Sequence, residues 1–458
     1  MAEAFETGTL PPMNDELEAA VAADMPRLKE LLADLVRIQS VSAPGYDPAP
    51  VRHAAETLVR LLKELGFGNA QLLEADGGNP AVFAEKPAPE GAPTLLLYAH
   101  YDVQPPGPDE AWETAPFEPF EQEGRIYGRG AADDKSGIVM HLGAVAAHGD
   151  NLPVGVQLFF EGEEESGSPS LPGILERYSD LIRPDIIVIG DGGNWEVGKP
   201  AFLTSLRGIA AVTLEVRTLE EPLHSGQFGG PVPDAITTLA KLLSTLVDER
   251  GNVTIDGLDV PTEEPDVDVP EEMFRAQAKP VEGLALIGSG SVAARLWLRP
   301  AISVLALDAP PTAEAINQLV PSARAKVSLR VPPGQDSAEA LGLLKAHLES
   351  HTPWGAKIEF LHEETGEATT LDTNNFAVEA WTEAFRDAYG TDPVAMGAGG
   401  SIPFIAEFGQ RYPDAPILVI GAMDPTSNIH APNESQDVGD LERATLSEAI
   451  AFRLLGAR

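Results

Sequence analysis

Thr94-Leu95-Leu96-Leu97-Tyr98-Ala99, running into His100-Tyr101-Asp102, is the stretch whose reading decides the fold. Six residues without a charge, bounded by turn-forming segments, form the pattern of a strand buried on both faces of a mixed or parallel sheet. The run then ends in a histidine and an acid. Val154 to Phe160 and Asp185 to Ile189 repeat it, followed by Glu161-Gly162-Glu163-Glu164-Glu165-Ser166-Gly167 and by Gly190-Asp191-Gly192. Pro416 to Ile420 is a further run, ahead of Asn428-Ile429-His430. Between these lie stretches with apolar residues at helical spacing: Leu17 to Ile38, Val51 to Leu65 before the Gly66-Phe67-Gly68 break, Ile138 to Ala147, and Phe376 to Tyr389. Alternating strand and helix patterns predict an α/β, three-layer domain around a mixed, mainly parallel sheet.

From Gly208 the pattern changes. Alternating strands, IAAVTLEV at 209–216 and ARAKVSLRV at 323–331, flank helices such as Ala235 to Val247, which predicts a smaller α+β domain inserted into the first. The expected boundaries are 1–206 and 370–458 for the two parts of the main domain and 207–369 for the insertion. Within the insertion, residues 256–280 are rich in Pro, Asp and Glu and read as an acidic surface loop.

Composition limits the possible partners. The 458 residues carry 71 acids against 31 bases, a formal charge of −40, which would repel nucleic-acid phosphates and anionic membranes alike. There is no cysteine, so any metal must be held by His, Asp and Glu rather than by thiolates. Met1 to Asn14 lacks the basic stretch and apolar core of a signal peptide, and no apolar run approaches the ~20 residues needed to span a bilayer, so a cytoplasmic location is expected.

In open α/β sheets ligands gather at the carboxyl ends of strands, and His100, Glu164-Glu165 and Asp191 all directly follow strand runs. A ligating imidazole needs its second nitrogen held, and His100-x-Asp102 offers an acid for it. Asp133 sits in the glycine-punctuated turn Gly128-Arg129-Gly130-Ala131-Ala132-Asp133-Asp134-Lys135, just ahead of a helix. Its two oxygens could bridge two ions; equally, Asp133-Asp134 could simply cap the helix. Adjacent carboxylates such as Glu164 and Glu165 suit a site where one binds metal and the other takes a proton from water. Any one of these groups alone would read as a solvated loop residue. Together they form a ligand set for two divalent ions, and two such ions can clamp a water and a carbonyl at once, the chemistry of amide hydrolysis.

The segments AHYDVQP (99–105), GRGAADDKSG (128–137), EGEEESGS (161–168), IGDGG (189–193), HSG (224–226) and GGSIP (399–403) resemble those of the zinc metallopeptidase family of carnosine dipeptidases, aminoacylases, desuccinylases and glutamate carboxypeptidases, in particular its cytosolic dipeptidase branch. The resemblance runs from about Leu28 to Leu455. It implies that His100 and Asp191 bind one metal, Glu165 and His430 the other, and that Asp133 bridges them. Asp102 would support His100, Glu164 would be the general base, and the Asp133-Asp134 peptide would be cis. The inserted domain would act as a lid and make a homodimer, with His224 reaching the partner's site to polarise the scissile carbonyl. Arg330 and Ser401 look like the groups that grip a substrate carboxylate, and Asn317 lies where relatives place a polar group. Two departures stand out: Asp372-Thr373-Asn374-Asn375 where dipeptidase relatives commonly have a histidine, and Gly397-Ala398 where they tend to carry a charge.

The implied activity is hydrolysis of dipeptides with a free C-terminal carboxylate, using two ions, zinc first and manganese or cobalt as alternatives. The same machinery would serve an N-acyl amino acid deacylase or desuccinylase. A non-catalytic, metal-stabilised scaffold is the reading of another class, and the retained Glu164 weighs against it. His53, His141, His148, His347, His351 and His362 have no motif around them.

Overall fold

The computed structural model describes residues 13–75, 77–400 and 402–458, which form two compact units. One comprises the chain through Leu203 with 371–395 and 407–458; the other comprises 204–370 with 396–406. The segment Met396–Ala406, which the sequence boundaries place in the main domain, clusters with the inserted unit.

The main unit is built on a six-stranded sheet in the spatial order Gln71–Leu73, Ala81–Lys86, Gly155–Glu161, Thr94–His100, Ile186–Ile189 and Ile417–Val419. The first two pairings are antiparallel and the remaining three parallel, so the sheet is mixed as expected. Side chains alternate across a strand. Leu95, Leu97 and Ala99, with Val156, Leu158, Phe160, Ile186 and Val188, meet the helices Met13–Arg37, Ala49–Glu64, Lys135–Ala147, Phe376–Tyr389 and Val438–Gly456 in one buried core. Tyr98 and Phe159 are also fully buried and stack on each other, with the Phe408 ring edge-on to both. Every residue of Leu95–His100 is therefore buried, which is why its sequence does not alternate. At about 1.5–3 kcal/mol for each large apolar side chain buried, these central strands are the strongest anchor available to the groups at their ends.

Helix Lys135–Ala147 is apolar on all sides and buried almost throughout. Its one cation, Lys135, is satisfied by the carbonyls of Leu35 and Ile38 at 2.8 and 2.9 Å, and burial pulls its ammonium pKa down to about 7. His141, a histidine without a motif, proves structural: its Nδ1 lies 2.8 Å from the buried Glu448 carboxylate and its Nε2 3.0 Å from the Tyr98 carbonyl.

The inserted unit carries a four-stranded antiparallel sheet in the order Ala301–Asp308, Ser322–Val331, Gly208–Arg217 and Lys357–Gly366. Helices Ala235–Leu243 and Ser337–His351 contribute Leu239, Leu242, Leu344 and Leu348 to a core with Val212, Leu214, Val327 and Leu329. The stretch 256–280 is exposed over most of its length, as a surface loop should be, with two buried positions and one helix as exceptions. Leu258 joins that core, Val269 is buried and Glu271–Ala278 is a helix, so the high acid content reflects only its outward face. The edge strand Ala301–Asp308 is exposed along its far half, including Val304, Leu305 and Leu307. Among the described residues no helix is long and apolar enough to cross a membrane.

Candidate metal centre

Three parallel strands end side by side, and their register sets the site. His100 is paired with Glu161, so the Glu164–Ser166 turn begins a few residues beyond the strand end that carries His100. Gly190 donates its N–H to the Tyr98 carbonyl at 2.7 Å, which brings Asp191 to the same edge. The Asp133-Asp134 peptide is cis. These two acids divide the functions that the sequence left open between them. Asp134 is the helix cap, accepting the Gly137 N–H at 3.2 Å and also the His100 N–H at 3.2 Å. Asp133 turns the other way.

The two oxygens of Asp133 face different histidines. Oδ1 lies 3.0 Å from His100 Nε2, and Oδ2 lies 3.0 Å from His430 Nε2. Asp191 Oδ2 is 4.0 Å from His100 Nε2, while Glu165 Oε2 is 3.3 Å from His430 Nε2. Two groups result, His100–Asp133–Asp191 and Asp133–Glu165–His430, each with ligand atoms within 4.8 Å of one another and with Asp133 common to both. Glu164 belongs to neither; its Oε2 stands 4.0 Å from His100 Nε2.

Asp102 does more than the H-x-D spacing suggests. His100 Nδ1 is closer to the Asp102 backbone carbonyl, at 2.9 Å, than to its carboxylate, at 3.4 Å. The carboxylate instead accepts the backbone N–H groups of Glu164 (3.2 Å) and Glu165 (3.1 Å) and the Ser42 hydroxyl (2.7 Å), fixing the turn that carries both glutamates. Gln104, not singled out in the sequence, donates from Nε2 to Glu165 Oε2 at 2.8 Å. It stands two residues beyond Asp102 in the motif AHYDVQP, the one signal that could have found it.

The charges of the site are unbalanced. Burial, and then the neighbouring Asp133 and Asp134, push the Asp191 carboxyl well above the usual carboxylate range. Burial and the charges of Asp191 and Glu165 do the same to Glu164, against the pull of His100. Burial also opposes ionisation of Asp133, but hydrogen bonds from His100 and His430 outweigh it and hold that carboxyl below its ordinary value. Hydrogen bonds to Asp133 and Glu165 push the His430 imidazole up to about 10. An excess of converging carboxylates, with imidazoles at both ends and no thiol, is a donor set that suits two divalent cations.

The inserted unit holds the other candidates. His224 ends the short strand Leu223–His224, is exposed, and accepts the Gly226 N–H on Nδ1 at 3.1 Å. The Asn317 carbonyl accepts the Ser225 N–H at 3.1 Å, tying that turn in place. Arg330 lies half-buried on Ser322–Val331, and among the described residues its guanidinium has no acidic partner. Next to it, burial and the Arg330 charge bring Arg207 down to about 10; Arg207 donates to the carbonyls of Gly399, Arg295 and Arg299. Ser401 lies outside the described residues.

A mixed α/β sheet whose strand ends present two carboxylate–imidazole groups sharing one aspartate defines a protein of the dinuclear metallohydrolase type. Residues 96–449 match the model of peptidase family M20/M25/M40, and the chain belongs to that family. It is 36% identical over 429 residues to a cysteinylglycine-S-conjugate dipeptidase of Corynebacterium striatum, covering 92% of this chain and 94% of the relative. It is 30% identical over 473 residues to the Cys-Gly metallodipeptidase DUG1 of Candida albicans, covering 95% of each. Among solved structures, an M20 family metallo-carboxypeptidase, Sso-CP2 from Sulfolobus solfataricus, superposes with a TM-score of 0.81 at 28% identity, over 94% of this chain and 99% of that one.

Proposed function

We propose that this chain is a dipeptidase that hydrolyses dipeptides bearing a free C-terminal carboxylate, with two divalent ions, zinc first among them. The observation that carries the reading is the geometry of Asp133, whose two oxygens each address a different histidine while Glu164 stands beside the pair in neither group. His100 and Asp191 would hold one ion, Glu165 and His430 the other, and Asp133 both. Bound there, such ions acidify a water and polarise a substrate carbonyl.

The residues of the chain do the rest. Glu164 takes the proton of the attacking water and returns it to the departing amine; its buried, acid-surrounded position raises its proton affinity, which suits that exchange. Arg330, without an acidic partner among the described residues, offers its planar fork to the substrate carboxylate, and we assign Ser401 to the same carboxylate on its sequence motif alone. His224 steadies the carbonyl oxygen as charge develops, and we assign it to the site of a partner subunit. The exposed apolar edge strand Ala301–Asp308 supports a homodimer formed through the inserted unit. The relatives named for Cys-Gly substrates make cysteinylglycine and its S-conjugates the first dipeptides to try. N-acyl amino acids are the second reading, since they too present an amide and a carboxylate.

The test pairs metal analysis with a substrate screen. Purified protein is expected to hold close to two divalent ions per chain, the number of ligand groups present, to lose hydrolysis on chelation and to regain it with Zn, Mn or Co. Free dipeptides should be cleaved faster than N-acetyl or N-succinyl amino acids. Full turnover by metal-free protein would overturn the reading; preference for acylated substrates would favour the deacylase instead.

A further inference from the structure

We infer that Glu434, locked to Arg129, is a positioning residue that couples the two loops carrying Asp133 and His430 and thereby sets the affinity and geometry of the metal pair. The inference rests on the metal reading above. Both side chains are almost wholly buried, and Arg129 Nη1 donates to Glu434 Oε2 at 2.6 Å. The other carboxylate oxygen, Oε1, accepts the backbone N–H groups of Ala132 and of Asp133 itself, each at 3.0 Å. The Glu434 carbonyl accepts the Gly128 N–H at 2.9 Å, and Arg129 Nη2 donates to the Ala431 carbonyl at 3.3 Å. The chain from Gly128 to Asp133 is thus laced to the chain from Ala431 to Glu434, one residue beyond His430. The 3.0 Å approach of Asp133 Oδ2 to His430 Nε2 spans these two loops.

Stability alone does not account for the pair. Two buried charges lose hydration that their attraction only partly restores, and an apolar pair of similar volume is commonly as stable or more so. Arg129 also leaves its Nε buried without a hydrogen-bond partner. What an apolar pair cannot reproduce is a fixed acceptor for the Asp133 N–H. Nothing in the sequence marks this role except that Glu434 lies four residues after His430.

The test uses the full-length protein and zinc or cobalt as the probe. In Arg129→Met/Glu434→Leu the Ala132 and Asp133 N–H groups lose their acceptor, so the midpoint of thermal unfolding of metal-free protein should fall, while zinc affinity, measured by chelator competition, falls about 10–100-fold for at least one ion, more than that loss of stability accounts for. In folded, cobalt-loaded Glu434→Gln, the visible absorption spectrum of the metal should shift, since an amide has one acceptor oxygen and its NH2 must face either the Arg129 guanidinium or the Ala132 and Asp133 N–H groups. Wild-type zinc affinity in the double variant overturns the inference, as does an affinity that merely tracks the loss of metal-free stability. If the double variant does not fold, Glu434→Gln decides: an unchanged cobalt spectrum and affinity overturn the inference. Failure of the wild-type protein to bind zinc would instead strike the proposed function.

Discussion

Substituting Asp102 separates two accounts of how the metal-bearing turn is held. Its carboxylate has one oxygen on the Glu164 N–H and the other on the Glu165 N–H and the Ser42 hydroxyl. Asparagine has a single acceptor oxygen, so in either orientation one of the two backbone N–H groups faces an amide NH2 and is left unpaired. A donor stranded in this way costs about 1–3 kcal/mol. Alanine removes both acceptors; the two backbone hydrogen bonds to a charged group at about 1.5–3 kcal/mol each set a loss of about 3–6 kcal/mol, while the Ser42 hydroxyl can turn to Ser166 Oγ at 2.8 Å. The His100 ring keeps its nearer acceptor, the Asp102 carbonyl at 2.9 Å, in both variants. The group containing Glu165 should therefore weaken at least as much as the group containing His100, by about 10–100-fold in metal affinity. Urea unfolding of metal-free protein gives the stability term, and chelator competition gives the affinity of each ion. If Asp102→Ala weakens only the His100 group, or destabilises by less than about 0.5 kcal/mol, the support that this carboxylate gives to the glutamate turn is refuted.

Glu164→Gln should retain both ions while turnover falls by orders of magnitude, whereas Glu165→Gln should lose affinity for one ion; metal analysis beside kcat distinguishes them, and the opposite pattern reverses the two assignments. His224→Ala and Glu164→Ala dimers should each be nearly inactive, and their refolded mixture should recover up to roughly a quarter of wild-type sites if His224 acts across a two-fold interface; verified heterodimers without activity would count against it. Glu161 is buried beneath the site, with the Tyr98 hydroxyl donating to it at 2.7 Å, and burial raises its carboxyl from 4.5 to about 7. A raised carboxyl binds its proton more tightly in the folded protein, so its contribution is fully present below pH 4.5 and is lost as pH rises through 7. Glu161→Gln should accordingly be more stable than wild type at pH 8.5 by up to about 3 kcal/mol and little changed at pH 4.5, by denaturant unfolding of metal-free protein. An equal difference at both pH values would refute this.

The strands were legible because burial on both faces writes itself as an unbroken apolar run: TLLLYA became Thr94–His100 and VGVQLFF became Gly155–Glu161. The convergence of His100, Glu165 and Asp191 followed from their position just beyond such runs. Partners that are backbone groups stayed out of reach. The grip of Asp102 on two amides, and that of Glu434 on the Asp133 amide, leave no pairing signal in the side chains. Composition alone did not separate Asp133 from Asp134, since adjacent acids ahead of a helix look the same whichever one caps it; only the family resemblance singled out Asp133 as the bridge. In 256–280 the acids hid buried positions: Val269 and Leu258 are too widely spaced to mark a periodic face.

The edge strand Ala301–Asp308 has a consequence for handling the protein. A lone chain carries an open row of peptide donors and acceptors flanked by Val304, Leu305 and Leu307, a template on which other chains can zip together. Opposing this is the formal charge of −40, which makes molecules repel before their edges meet. That repulsion reaches about 10 Å at 0.1 M salt and only about 3 Å at 1 M. Dilute stocks at low ionic strength should therefore stay clear, while concentrated salt strips away the long-range barrier and leaves the sticky seam to govern colloidal fate.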